Sequence, residues 1–311
     1  MATIPLPPAG GVRTTALVPL RFEDVTQDGR LVLEALPNAL ATTVWRGMLT
    51  HHPFARTCLE SGIVPILTRF RLQGTAGPFS AHVQLEAQAT SRIAIAVSAT
   101  LGGAGDPPSD ARIVLDVWAD LHAPIGRTYG ATPRDGERAL AGRVLAEHTF
   151  TRLLAPPGER RATPLDVPGA SAIRETRAPS PAPESIVSVP AGAVPLESAL
   201  RLDPLPIAFG LVHTDSNMHV NSLAYLRVFE EAALRRFVEL GRGSSLLGRH
   251  IDIVYRKPCF AGQAMRVALQ AFEHDGALGI CAVLVEHRGG PADLILGQAR
   301  PHTFVQMTFE P

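Results

Sequence analysis

The sequence predicts an α+β protein that uses one plan twice, a long helix followed by a meander of antiparallel strands. Three observations carry this prediction. One segment in each half has apolar residues at helical spacing. The segments after it are rich in Val and Ile and are separated by Gly, Pro, Ser and Asp. A proline-rich stretch divides the two runs, and 311 residues suit two units of about 100 to 150 residues each.

In the first half, apolar or alternating stretches at 17–22 and 31–36 lead to Pro37 and Asn38, which read as a turn. A helix is expected over 41–61, where Val44, Met48, Phe54, Cys58 and Leu59 recur at near-helical spacing; Pro53 should kink or restart it and Gly62 suits its end. Strands are expected over 63–72, 81–89, 92–100 and 111–121. From about 124 to 206 the prolines, among them Pro164, Pro168, Pro179, Pro181, Pro183, Pro190 and Pro195, interrupt any long element. Within that stretch 137–154 fits either a helix or a strand, and 179–183 fits an extended or a disordered segment. The expected division is a first unit over 1–135, a linker over 136–192 and a second unit over 193–311.

The second half opens with an apolar lead-in at 205–212 and a polar cluster, and a helix is expected over 222–240. Leu226, Phe229, Ala233, Phe237 and Leu240 share one face, Glu231 and Arg235 form an i, i+4 pair, and Gly241 closes the helix. Strands are expected over 250–256, 264–272, 278–286, 294–300 and 303–309. The two halves repeat in architecture, without visible residue identity. A helix wrapped by an antiparallel sheet, present twice, has the form of a tandem, or double, hotdog.

Composition narrows the function classes. Apolar residues make up 46% and charged residues 19%, the balance of a globular chain. Lys plus Arg and Asp plus Glu stand at 29 each, so no global field favours nucleic acid or an anionic membrane. Cys58, Cys259 and Cys281 form no CxxC or Cys/His ligand spacing, so neither a disulfide framework nor a metal site is expected, and no cofactor is implied. With no signal-peptide pattern at the N-terminus and no apolar run of about 20 residues, the expectation is a soluble cytoplasmic protein, monomer or homodimer.

The chemistry is concentrated in 213–222, directly ahead of the second helix. A helix start offers unsatisfied N–H groups and a positive dipole end, suited to a carbonyl oxygen gaining negative charge. His219 is a natural general base near neutral pH, Asp215 an alternative base, nucleophile or histidine orienter, and Asn217 a holder of water or carbonyl. Together these are the parts of an acyl-transfer site, and a thioester suits it because a thiolate leaves readily. Taken singly, Asp, Asn and Ser are also ordinary turn and cap residues; Asn221 or Ser222 is the simplest N-cap, and nothing distinguishes His213 from a surface or core-edge histidine.

The segment Asp215-Ser216-Asn217-Met218-His219-Val220-Asn221-Ser222-Leu223-Ala224-Tyr225-Leu226-Arg227-Val228-Phe229-Glu230 resembles the D-x-N-x-H-V-N-N-x-x-Y-x-x-x-x-E segment of acyl-ACP thioesterases, a double-hotdog family. The resemblance implies that Asp215, Asn217 and His219 take the catalytic positions, that the C-terminal hotdog carries them, and that the N-terminal hotdog shapes the acyl pocket. Tyr255-Arg256-Lys257-Pro258-Cys259 resembles that family's Y-R-R-E-C strand segment, which puts Cys259 at its cysteine position and Asn221 and Cys259 beside the site. Pro258 stands where the family has an acidic residue and Ser222 where it has a second Asn, which either leaves Asp215 as the acidic participant or leaves the site weak or altered in chemistry.

The function so implied is hydrolysis of an acyl thioester, carried by CoA or by an acyl carrier protein, with no nucleic-acid or membrane partner. Two readings stand beside it: a catalytically silent acyl-thioester-binding hotdog, and a hotdog hydratase or dehydratase, whose usual motif the chain lacks. Cys259 as a nucleophile is the alternative within the site, against its reading as a small buried hydrophobe. His51 and His52 have no carboxylate at metal-like spacing and read as surface or capping residues. Arg235, Arg236, Arg242, Arg249 and Arg256 read as solvated charges, or as contacts to CoA phosphates or an acidic carrier.

Overall fold

The computed structural model describes residues 3–49, 52–97, 111–156, 158–287 and 300–311. The strand expected over 294–300 falls outside these residues but for Arg300, as do the end of the one expected over 92–100 and His51. The first half contributes β1 (Val12–Pro19), β2 (Ile63–Gly74), β3 (Gln84–Ala96), β4 (Arg112–Pro124) and β5 (Arg138–Arg152). The second contributes β10 (Leu247–Tyr255), β11 (Ala264–His274), β12 (Ala277–Glu286) and β13 (Thr303–Glu310). Four two-residue strands lie between: β6 (Thr176–Arg177), β7 (Val194–Pro195), β8 (Arg201–Leu202) and β9 (Ile207–Ala208).

These strands form one sheet in the order β1-β3-β4-β5-β2-β10-β13-β12-β11-β7, with β6 beside β3 and both β8 and β9 beside β11. The order is mirrored about the antiparallel β2–β10 pair, which runs from Arg69 opposite Val254 to Gln73 opposite His250. Alternation sorts the seam by face. Phe70, Leu72, Ile251 and Ile253 join a core cluster that runs through both halves. On the other face Arg69 Nε donates to Asp252 Oδ1 at 2.8 Å, both side chains buried.

The stretch 138–152, open between helix and strand in the sequence, is β5, paired with β4 and β2 and lying beyond the boundary expected at 135. β3 is one strand where two were expected. Thr90 and Ser91, which resemble a turn, are buried in its middle because β1 and β4 saturate its backbone on both sides.

The second-half helix is α3 (Ser222–Glu239), capped by Asn221, whose side chain accepts from the Leu223 N–H at 2.8 Å. Leu226, Phe229, Ala233 and Phe237 of its predicted face are buried, Leu240 is half-buried, and Phe237 meets Phe309 edge-on at 5.2 Å. Gly241 follows with φ +70°, the left-handed end that favours glycine. Among the described residues the first half has no helix as long as α3, which corrects the expectation of one long helix per half, while the restart expected at Pro53 is present. A 3-10 turn (Leu33–Ala35), α1 (Asn38–Leu40), a π-helical stretch (Ala41–Leu49) and α2 (Pro53–Glu60) stand in its place. Pro37 and Pro53 explain the breaks, since neither can donate to a preceding turn; Pro53 restarts the chain as the first residue of α2.

The proline-rich stretch is a strap across the outer face of the sheet. β6 adds in parallel to β3, Ser180 Oγ donates to Glu147 at 2.6 Å, and Ile186 packs with Val254, Ala268, Val283, Val285 and Phe304. The strap then pairs with the far edge through β7, β8 and β9. Two arginines of α3 hold it there: Arg236 with Glu197, both buried, and Arg235 Nε with Asp203 Oδ2 at 3.1 Å. The reading of Arg235 and Arg236 as solvated or ligand-facing charges is thereby corrected. Arg242, Arg249 and Arg256 are likewise paired, with Glu273, Glu310 and Glu184.

His148, in β5, is fully buried with its Nδ1 3.2 Å from the Leu115 carbonyl and its ring edge-on to Trp45. Burial pushes it down to about 4, against the smaller opposing pull of that carbonyl and Glu147. The native state therefore takes this proton only near pH 4 while the unfolded chain takes it near 6.5, so the contribution is complete above 6.5 and lost as pH falls toward 4. A loss of roughly 3 kcal/mol is expected across that window. Urea midpoints at pH 7.5 and 4.5 should differ less in His148→Leu than in the parent; an equal drop in both would contradict this.

Candidate active site

The loop ahead of α3 is built from the backbone outward. A 3-10 turn (Leu211–His213) starts it, with His213 Nδ1 accepting from the Gly210 N–H at 3.0 Å, so His213 is a local cap. Thr214 and Val220 form an isolated bridge, and between them the Asp215 N–H donates to the His219 carbonyl at 3.2 Å and the Met218 N–H to the Asp215 carbonyl at 3.0 Å. That tight turn puts Met218 at φ +64°, a conformation non-glycine residues seldom adopt. The Asn221 N–H closes the loop onto the His213 carbonyl at 2.8 Å.

Asp215 is the hub. Its Oδ1 accepts from the Asn217 N–H at 2.8 Å and its Oδ2 from the Asn221 side-chain amide at 3.1 Å. Asn221 thus ties Asp215 to the start of the helix while capping it. His219 is half-buried on the same loop, and its ring is bonded to the Val220 carbonyl, Nδ1 to O 3.1 Å, with no bond to Asp215. A carbonyl can only accept, so this contact puts the proton on Nδ1 and leaves Nε2 with its lone pair. Asn217 is exposed.

Cys259 lies behind the loop. Its carbonyl accepts from the Val220 N–H at 2.8 Å, and its N–H donates to the Tyr225 hydroxyl at 2.9 Å. Tyr255 donates to the carbonyl of Ser222, the first residue of α3, at 3.2 Å, and stands edge-on to Tyr225. The Cys259 sulfur is 3.4 Å from His302 Nδ1, a contact with no sequence signal, since the residues lie far apart in the chain. That nitrogen also faces the Pro258 carbonyl at 3.2 Å, which assigns it the proton and the role of donor, unfit to deprotonate the thiol. Burial pushes the Cys259 thiol up to about 11.

Burial also pushes Cys58 and Cys281 up to about 11. The native protein should accordingly show almost no rapidly reacting thiol toward a disulfide reagent at pH 8 and all three after unfolding. Cys259→Ala should stay within about twofold of parent activity, as expected of a buried packing residue. Rapid labelling of Cys259, or abolished activity in that variant, would overturn this assignment.

Leu211, Val212 and Met218 are 81%, 91% and 82% exposed, so the loop presents an apolar rim to water. The other end of the site is set by the helix. Asn221 occupies the Leu223 N–H and the Ala224 N–H bonds to the Asn221 carbonyl, leaving the Ser222 N–H as the uncommitted donor of the first turn. A cavity of about 280 Å³ opens elsewhere, in the first half, among Val12, His52, Phe54, Ile93, Ile173 and Arg174; it touches none of the loop residues. His52 stands at the N-cap position of α2 there, with no cap bond from its side chain. Among the described residues no cluster of His, Cys, Asp and Glu is arranged to hold a metal, and no helix is long and apolar enough to cross a membrane.

Over nearly its whole length the chain resembles solved structures, three of them thioesterases by name. A 12:0-ACP thioesterase from Umbellularia californica shares 13% identity at TM-score 0.58, covering 96% of this chain and 94% of that one. A protein assigned as an oleoyl thioesterase from Lactobacillus plantarum shares 13% at TM-score 0.58, covering 97% and 96%. An acyl-ACP thioesterase from Bacteroides thetaiotaomicron shares 14% at TM-score 0.54, covering 96% and 98%. No protein-family model and no curated protein matches the sequence. The large antiparallel sheet with few helices is thus the hotdog-type fold of these thioesterases.

Proposed function

We propose, starting from the fold shared with these thioesterases, that this protein hydrolyses an acyl thioester carried by CoA or by an acyl carrier protein. The observation that carries the reading is the loop at the start of α3, where Asp215 holds Asn217 and Asn221 and His219 keeps Nε2 free. In this reading His219 Nε2 takes a proton from water as it adds to the thioester carbonyl. The Ser222 N–H, at the positive end of the helix, receives the developing oxyanion and Asn217 holds the water or carbonyl. The C–S bond then breaks and the thiolate takes a proton, giving free acid and thiol.

The architecture in this reading is a tandem hotdog. The N-terminal unit runs through β5 to Arg152, the strap forms the linker to about 192, and the unit from 193 carries the site. The exposed rim of Leu211, Val212 and Met218 is where the pantetheine arm or its carrier would meet the protein.

The test is thiol release across a panel of acyl-CoA and acyl carrier protein substrates. Release with a chain-length preference supports hydrolysis. Saturable binding without release would instead indicate a silent binder, and loss of enoyl absorbance without thiol a hydratase.

A further inference from the structure

The first half carries a second copy of the loop, hidden from the sequence because the residues differ. The Arg21 N–H donates to Asp24 Oδ2 at 2.8 Å where the Gly210 N–H donates to His213 Nδ1 at 3.0 Å. A three-residue 3-10 turn follows in each, Phe22–Asp24 and Leu211–His213. The bridge between Val25 and Leu31 answers the one between Thr214 and Val220. Inside it the Thr26 N–H donates to the Arg30 carbonyl at 2.8 Å, and the Gly29 N–H to the Thr26 carbonyl at 2.9 Å, as Asp215 and Met218 do. Gly29 has φ +90° where Met218 has +64°. The Val32 N–H closes onto the Asp24 carbonyl at 3.1 Å, as Asn221 closes onto His213. Every bond recurs at one constant separation along the chain, so Thr26, Asp28 and Arg30 stand at the places of Asp215, Asn217 and His219.

The frame is kept and the chemistry is replaced. Arg30 Nε donates to Asp28 Oδ2 at 2.8 Å, and its guanidinium also donates to the carbonyls of Glu310, at 3.4 Å, and Pro311 at the end of β13. Burial would raise the Asp28 carboxyl, but the bonds from Arg30 and Thr26 outweigh it and hold it at about 2, so the pair stays charged. A guanidinium cannot serve as a general base at neutral pH. The two loops lie at opposite ends of the seam. One bonds to Cys259 beyond the end of β10 and the other to Phe79 beyond the end of β2, and these strands are antiparallel.

We infer that the loop 24–32 is a second thioester site in frame, closed by the Arg30 side chain against Asp28 and the end of β13, which leaves one working site per chain. The inference rests on the proposed hydrolysis at the Asp215 loop. It says that closure is a property of a side chain and is reversible by substitution.

The test counts sites and grafts chemistry. Calorimetric titration with an S-alkyl-CoA thioether should give one equivalent per chain for the parent and two for Arg30→Gly. In a His219→Ala background, the graft Thr26→Asp, Asp28→Asn, Arg30→His should raise thiol release at least about tenfold over His219→Ala alone, a fraction of what general-base loss removes. Either gain upholds the second site. One equivalent in Arg30→Gly together with no gain from the graft, in proteins that melt like the parent, overturns it. A parent that binds one equivalent but releases no thiol sinks the hydrolase reading alone, and the count in Arg30→Gly then decides the second site. A parent that binds neither this CoA thioether nor the same thioether on an acyl carrier protein overturns both.

Discussion

His219→Ala is expected to release thiol from the preferred acyl thioester roughly two orders of magnitude more slowly than the parent, the usual consequence of losing a general base. The expectation is sharp because the loop does not depend on the imidazole. Its turn, bridge and closure are backbone bonds, and the ring itself is bonded only to the neighbouring Val220 carbonyl. Stability should therefore be close to that of the parent. Asp215→Ala should be equally slow but is less clean, since it also removes the acceptor for Asn217 and Asn221. Asp215→Asn keeps the size and one acceptor oxygen, enough for the Asn217 N–H, but turns the acceptor for Asn221 into a donor: a rate near the parent's would show that neither the charge nor the bond to Asn221 is needed for turnover, and a rate near the alanine variant's would place the carboxylate, by its charge or its second acceptor, in the working site. Parent-like rates in both His219→Ala and Asp215→Ala would remove the site assignment.

Asp252→Ala should cost about 3 to 5 kcal/mol of stability, the range for removing one partner of a buried ion pair. Arg69 and Asp252 are each 7% exposed and face each other across the β2–β10 seam, so the variant removes the acceptor of both guanidinium bonds and leaves the buried charge only the attraction of Glu147, opposite it on β5 and already paired with Arg71. The double variant Arg69→Met, Asp252→Leu should recover most of the loss, because no unpaired charge remains. Denaturant unfolding of the three proteins reads both effects. If Asp252→Ala loses less than about 1 kcal/mol, near the range of exposed pairs, the seam is not held as described.

Local pattern was sufficient for much of the chain. The apolar face of 222–240 and the Asn and Gly at its ends are all local features, and α3 ends within a residue of the expectation. The alternation and turn residues of the second half gave β10, β11, β12 and β13 to within a few residues. The polar segment 213–222 stood out because so many hydrogen-bonding residues lie next to a helix start. Thr90 and Ser91 were misleading because a buried polar pair in a twice-paired strand has turn composition.

The sequence by itself determined the helix-then-strands order, the isolation of a candidate site ahead of the second helix, and the absence of a net charge, because each depends on spacing within a few residues or on composition. Only the tertiary structure decided that the proline-rich segment is a strap, that Arg235 is paired with Asp203 and Arg236 is buried against Glu197, that His302 stands beside Cys259, and that loop 24–32 copies loop 213–221. These are meetings between residues distant along the chain. The loop copy is written in backbone hydrogen bonds, which most side chains permit equally, so it persists without any residue in common.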